Sequence, residues 1–318
     1  MIKQTWRVVT ASFLLSFSLS ALADSPKEML AAGRVDDAIS ALNGQISSNP
    51  RDAESIHLLC RAYFQYDDWD RAESRCRRAV ELQPNNSGFH RWLGRVYGQK
   101  AERATLPISL AIKTRDEFQR AAQLDPSDTD ALIDVAEYYL EAPGFMGGGH
   151  DKARDQAKLI GKISPAREHW VYARIAEKNK DFAAAEREYQ LMIQAANKDP
   201  EAWLALAFFY RNQKRYDEME KTFVKMQAVP IAHREVLVEA ANSMLRTGRA
   251  FPFAIELLRR YLTEGPVEEA PAFKAHYLLG QLLEKQGDKA GATTEYRAAV
   301  ALARNYEPAR RSLQRVAP

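Results

Sequence analysis

The sequence carries almost no surplus charge. Its 45 Lys and Arg face 42 Asp and Glu, and two of the bases, Lys3 and Arg7, sit in a first segment without an acid. Setting those two aside leaves 43 basic against 42 acidic side chains. General nucleic-acid binding needs concentrated positive charge against phosphates, so no nucleic-acid partner is expected. Beyond the first residues no apolar run reaches the roughly 20 residues of a helical membrane span. None of the six His falls in an H-E-x-x-H or similar metal spacing, and neither a G-x-S-x-G elbow nor a Walker sequence occurs. The carboxylates fall at solvated helix positions rather than in the positioned pairs that acid–base chemistry requires. The expectation is a protein without catalytic residues, metal or cofactor. Cysteine is scarce as well. Cys60 and Cys76 are the only two, and with no C-x-x-C between them dithiol redox catalysis is disfavoured.

The first 23 residues have the pattern of a secretory signal. Lys3 and Arg7 form a charged start, Val8 to Leu19 is largely apolar, and Ala21-Leu22-Ala23 is a small-x-small cleavage pattern. Cleavage near Ala23 would leave Asp24 as the mature start, in a periplasmic or extracellular space. No Cys follows Ala23, which argues against a lipid anchor there.

What the chain does have is a recurring amphipathic pattern. In Glu201–Pro230, Trp203, Leu206, Ala207 and Tyr210 share one helix face; Tyr216, Met219, Phe223 and Met226 form a second, and Pro230 closes the unit. The same register recurs in Ile56, Leu59, Cys60 and Tyr63 with Ala72, Cys76, Ala79 and Pro84. It returns in Leu93, Gly94 and Tyr97 with Phe118, Ala121 and Pro126, and in His276, Leu279, Gly280 and Leu283 with Ala292, Tyr296 and Ala299.

These residues resemble the helix–turn–helix unit of the tetratricopeptide repeat, whose period is about 34 residues. The resemblance implies an all-α fold, a right-handed α-α superhelix of about eight helix pairs with a C-terminal capping helix. The units are 24–51, 52–86, 87–127, 128–166, 167–200, 201–231, 234–267 and 272–306, with the cap at 308–316. Small residues such as Ala72, Gly94, Ala207 and Gly280 should then be scaffold, because close helix crossings exclude long side chains. Terminal units should have one neighbour rather than two, with the last helix solvating the end.

Two intervals exceed the standard spacing. One is Ala101 to Ile108, where Pro107 suits a helix start. The other is Ala142 to Asp151, with Gly147-Gly148-Gly149. The glycine run lacks the Lys-Ser or Lys-Thr of a P-loop and reads as a flexible hairpin with Asp151 as N-cap. Cys60 and Cys76 fall in facing stripes of one pair. They are either a disulfide, favoured by an oxidising compartment, or two buried thiols.

In tetratricopeptide proteins the concave groove is lined by exposed positions of the first helix of each pair. Carried over, these are His57, Arg61, Arg91, Arg95, Trp170, Arg174, Leu204, Phe208, Arg211 and Tyr277. The N-terminal half of the set is basic, which suits an acidic protein or peptide segment; the later half is apolar or aromatic, which suits anchoring. The leading reading is an exported, non-catalytic adaptor that binds a protein segment in that groove. The alternatives are a structural component of an envelope assembly using its outer surface, and a small-ligand carrier or enzyme using the Phe145–His150 loop.

Overall fold

The computed structural model describes residues 24–316, so the expected signal segment lies outside them. The described residues form seventeen α-helices in eight antiparallel pairs and a final single helix, with no strand. The pairs are α1 (Pro26–Ala31) with α2 (Val35–Ser48), α3 (Ala53–Gln65) with α4 (Trp69–Leu82), α5 (Ser87–Arg103) with α6 (Ile108–Leu124), and α7 (Thr129–Glu141) with α8 (His150–Gly161). They continue as α9 (Pro165–Lys178) with α10 (Phe182–Ala195), α11 (Pro200–Asn212) with α12 (Tyr216–Gln227), α13 (Glu235–Thr247) with α14 (Phe251–Glu264), and α15 (Ala272–Lys285) with α16 (Lys289–Leu302). Helix α17 (Glu307–Val316) ends the described chain. The architecture is the all-α solenoid expected from the repeat pattern.

Local chemistry sets the helix ends. Asp52, Asp68, Asn86, Asp181 and Asp288 each accept a backbone N–H from the first turn that follows, satisfying donors that a helix start leaves free. Most turns within pairs pass through one left-handed residue. Asp67, Lys180 and Lys214 adopt it, and at Gly33 and Gly287 the missing Cβ makes it easy, while the α13–α14 turn has two, Gly248 and Ala250. The third and fourth pairs have insertions instead. Pro107 precedes α6. In the fourth, Gly149 rather than Asp151 stands at the N-cap, and Asp151 is already in the first turn. The loop closes early because Gly148 nests on Ala142; a Cβ there would lie 1.7 Å from the Ala142 carbonyl oxygen.

Within a pair, a small residue on the first helix meets an aromatic on the second. A Cβ on Gly94 would lie 2.5 Å from the Phe118 ring, and one on Gly280 would lie 2.5 Å from Tyr296. Polar pins cross the same seam. His90 Nδ1 is 2.5 Å from Glu117, His169 Nδ1 is 2.8 Å from Glu188, and His276 Nδ1 is 2.6 Å from Glu295.

His57 has no such acid. It is buried, its ring stacks on Phe89 at 4.4 Å, and its Nδ1 has no partner. Burial, reinforced by Arg61, lowers its pKa from 6.5 to about 3, whereas the bond to Glu117 raises that of His90. The two histidines therefore have opposite linkage to folding. The contribution of His90 is fully present below its unfolded pKa near 6.5 and is lost as pH rises through its raised folded value. His57 resists protonation, so it costs stability as pH falls from about 6.5 towards its folded value. Imidazole resonances followed by NMR should show His90 titrating above 6.5 and His57 not titrating above about pH 4.

The ends of the array meet, and here the structure departs from the expectation that each terminal unit has one neighbour. Leu30, Val35 and Leu42 share a buried cluster with Phe273, Ala303, Tyr306 and Ala309. Gly33 is packed so tightly that a Cβ would lie 2.5 Å from the Ala272 nitrogen. Arg61 donates from Nε to Glu268 Oε1 at 2.7 Å and from Nη2 to Oε2 at 2.5 Å. Lys274 Nζ is 2.9 Å from Asp67, and Asp36 accepts from Tyr66 at 2.5 Å and from the Arg304 backbone at 2.8 Å. The solenoid is thus a closed ring. Helix α17 caps the last pair: Arg315 pairs with Glu284 of α15, and Leu313 and Val316 pack against the cluster that holds that helix. The physical reason is apolar: Leu30, Phe273 and Ala303 are each fully buried by the contact and their own neighbours.

Candidate functional site: the inner face of the ring

The first helices of successive pairs face inward. A pocket of about 320 Å³ opens there, built by α5, α7, α9, α11 and α13 with Met192 of α10. One wall is apolar: Ile133, Trp170, Leu204, Phe208 and Val236. The other is a ladder of charges. Arg91 reaches Asp130 and Asp134, both at 2.9 Å; Arg95 reaches Asp134 at 3.6 Å; Arg167 pairs with Asp130 and lies 3.5 Å from Glu201. Arg91 and Arg95 are one helical turn apart on α5, as are Asp130 and Asp134 on α7, so Arg91 spans both carboxylates and Arg95 approaches the second. Asp130 is held below the usual carboxylate range by Arg167 and Arg91 against the opposing effect of burial.

The ten groove residues carried over from the repeat pattern divide into two sets. The pocket brings together Arg91, Arg95, Trp170, Leu204 and Phe208. The other five lie elsewhere. His57 is in the interior rather than on the groove surface. Arg61 is held by Glu268 in the closure seam. Arg174 bonds Glu141 at 2.8 Å and Glu177 at 3.3 Å. Arg211 stacks on the Phe208 ring at 4.4 Å and donates to Ser243 at 3.3 Å; burial and neighbouring Arg246 lower its pKa. Tyr277 packs edge-on to Tyr306 at 5.6 Å, on the seam side.

Arg61, Arg91 and Arg174, expected to face an acidic segment, each already hold a carboxylate of this chain. The partners Asp130, Asp134 and Glu268 escape a sequence reading because they lie on other units. The paired spacing of Asp130 and Asp134 opposite Arg91 and Arg95 is the available signal.

Cys60 and Cys76 are joined as a disulfide, with Cα atoms 5.3 Å apart, within the range such a bond requires. It ties α3, the helix bearing Arg61, to α4.

No curated protein matches the sequence. Among solved structures the chain is similar to yeast Tom70, with 15% identity over 95% of this chain and 65% of that one, at a TM-score of 0.54. It is similar to a thermophilic repeat protein of Thermus thermophilus, with 18% identity over 58% of this chain and 96% of that one and a TM-score of 0.48. A tetratricopeptide repeat protein from Parabacteroides merdae shares 13% identity over 92% of this chain and 99% of that one, with a TM-score of 0.45. At these identities the likeness concerns the fold. Sequence profiles described as tetratricopeptide repeat match residues 29–96, 200–226 and 238–310. With eight helix pairs in the same register as those matches, the chain belongs to the tetratricopeptide-repeat family.

Proposed function

We propose that this protein is an exported, non-catalytic adaptor that holds a segment of a protein partner against the inner face of its ring. The observation that carries this reading is the pocket itself. Trp170, Leu204, Phe208 and Val236 offer a concave apolar wall beside arginines that are already paired. Aromatic and aliphatic anchors in a desolvated pocket supply most of the energy of such contacts. An acidic segment would compete with Asp130 and Asp134 for Arg91, so the anchors rather than the arginines would dominate affinity. Export is supported by the Lys3–Ala23 pattern and by the Cys60–Cys76 bond, which persists in oxidising compartments.

A second reading, a structural role through the outer surface, is favoured by one feature. Leu159 and Ile163, 47% and 46% exposed, flank a groove of about 750 Å³ formed by α6, α7 and α8. A photo-crosslinking residue placed at Phe208 or at Leu159 in the native compartment separates the two. The adaptor reading expects one polypeptide captured from Phe208 and not from Leu159. With that partner in hand, Leu204→Asp with Phe208→Asp should weaken binding by about 2 kcal/mol or more, roughly 30-fold. Capture from Leu159 alone would reject it.

A further inference from the structure

The charge ladder of the inner face ends with one carboxylate too many. Glu201, in the first turn of α11, and Glu235, the first residue of α13, both turn towards His233 in the connection between α12 and α13. His233 Nδ1 is 3.5 Å from Glu201 Oε1 and 3.3 Å from Glu235 Oε1, and the three donor atoms lie within 4.8 Å of one another. Among the described residues, the base that reaches the cluster is Arg167, whose Nη2 is 3.5 Å from the second oxygen of Glu201 and whose main partner is Asp130.

His233 differs from the three histidines that pin helix pairs. Those sit 2.5 to 2.8 Å from a single carboxylate, as a hydrogen bond requires. His233 faces two carboxylates, each more distant, and hydrogen-bonds neither. The longer spacing has a physical meaning. Nitrogen and oxygen ligands about 2.0–2.1 Å from a tetrahedral zinc ion are separated by the edge of that tetrahedron, about 3.3 Å. One imidazole with two carboxylates is also a donor set that suits a first-row divalent ion of the zinc type.

We propose that Glu201, His233 and Glu235 form a three-ligand site for a zinc-class divalent cation at the edge of the inner pocket. Its charge would offset the surplus carboxylate and join the starts of α11 and α13.

The test is calorimetric titration of the chelator-stripped full chain with zinc chloride. The expected result is one equivalent bound with a dissociation constant in the micromolar range or tighter. His233→Ala and Glu201→Gln should each weaken it at least about tenfold, the scale of disturbance known for zinc shells. Helical circular dichroism of each variant checks that the fold is retained. His169→Ala, which removes a histidine held by one acid, should leave zinc affinity unchanged. Absence of saturable zinc binding by the folded wild-type chain would overturn the proposal, and so would affinity unaltered by His233→Ala and Glu201→Gln.

Discussion

Replacing Arg61 by alanine is expected to open the ring. Arg61 and Glu268 are 17% and 9% exposed and form two parallel hydrogen bonds. Removing the guanidinium leaves a carboxylate facing an apolar seam without its partner. Truncating one side of a buried pair costs about 3–5 kcal/mol, and the residual water access here puts the expected loss near the lower end, about 3 kcal/mol. In a repeat array such a loss is local, because each unit is held mainly by its neighbours. Amide hydrogen exchange should therefore accelerate in α1, α3 and α15, while α9 to α12 keep their protection. The double change Arg61→Leu with Glu268→Leu removes the charge without leaving an orphan and should recover much of the loss. Equal exchange in wild type and Arg61→Ala would show that the ends are not joined through this pair.

Breaking the bond between Cys60 and Cys76 should cost a comparable amount by a different route. The bond closes a loop with a sequence separation of 16. Loop-closure entropy for about that length is worth about 3 kcal/mol, acting mainly on the unfolded chain. Both side chains are fully buried, so Cys60→Ala with Cys76→Ala keeps small apolar residues between α3 and α4 and isolates the crosslink. Urea unfolding followed by helical circular dichroism should show a lower midpoint for the variant. Reducing agent should lower the wild-type midpoint and leave that of the variant unchanged. Identical midpoints under oxidising and reducing conditions would contradict a stabilising bridge.

The repeat is legible in the sequence because its signals are local. Trp203, Leu206, Ala207 and Tyr210 mark one helix face within ten residues, and small residues such as Gly94 and Gly280 mark close crossings that a single Cβ would obstruct. The Trp170, Leu204 and Phe208 wall follows from the same register, since residues out of phase with the buried stripe face the lumen. What the sequence does not reveal is contact between distant units. Arg61 and Glu268 are 207 positions apart, and no local periodicity relates them. An arginine on the inward face of a repeat helix reads as a free ligand until its neighbour's acid is placed beside it, as with Arg61, Arg91 and Arg174. Glu201 and His233 are invisible as a pair for the same reason: one starts a unit and the other lies in the connection that follows it, so no motif spacing joins them.

Closure of the array is the central claim, because it decides which arginines are spent on the seam and which face the lumen. Zero-length carbodiimide coupling tests it most directly, since that reagent joins an amine to a carboxylate already in contact. Lys274 Nζ lies 2.9 Å from Asp67, and Lys100 Nζ lies 2.7 Å from Asp70 within the array. Peptide mass spectrometry of the coupled, monomeric protein should find both links. Recovery of the Lys100–Asp70 link without any Lys274–Asp67 link would contradict a closed ring.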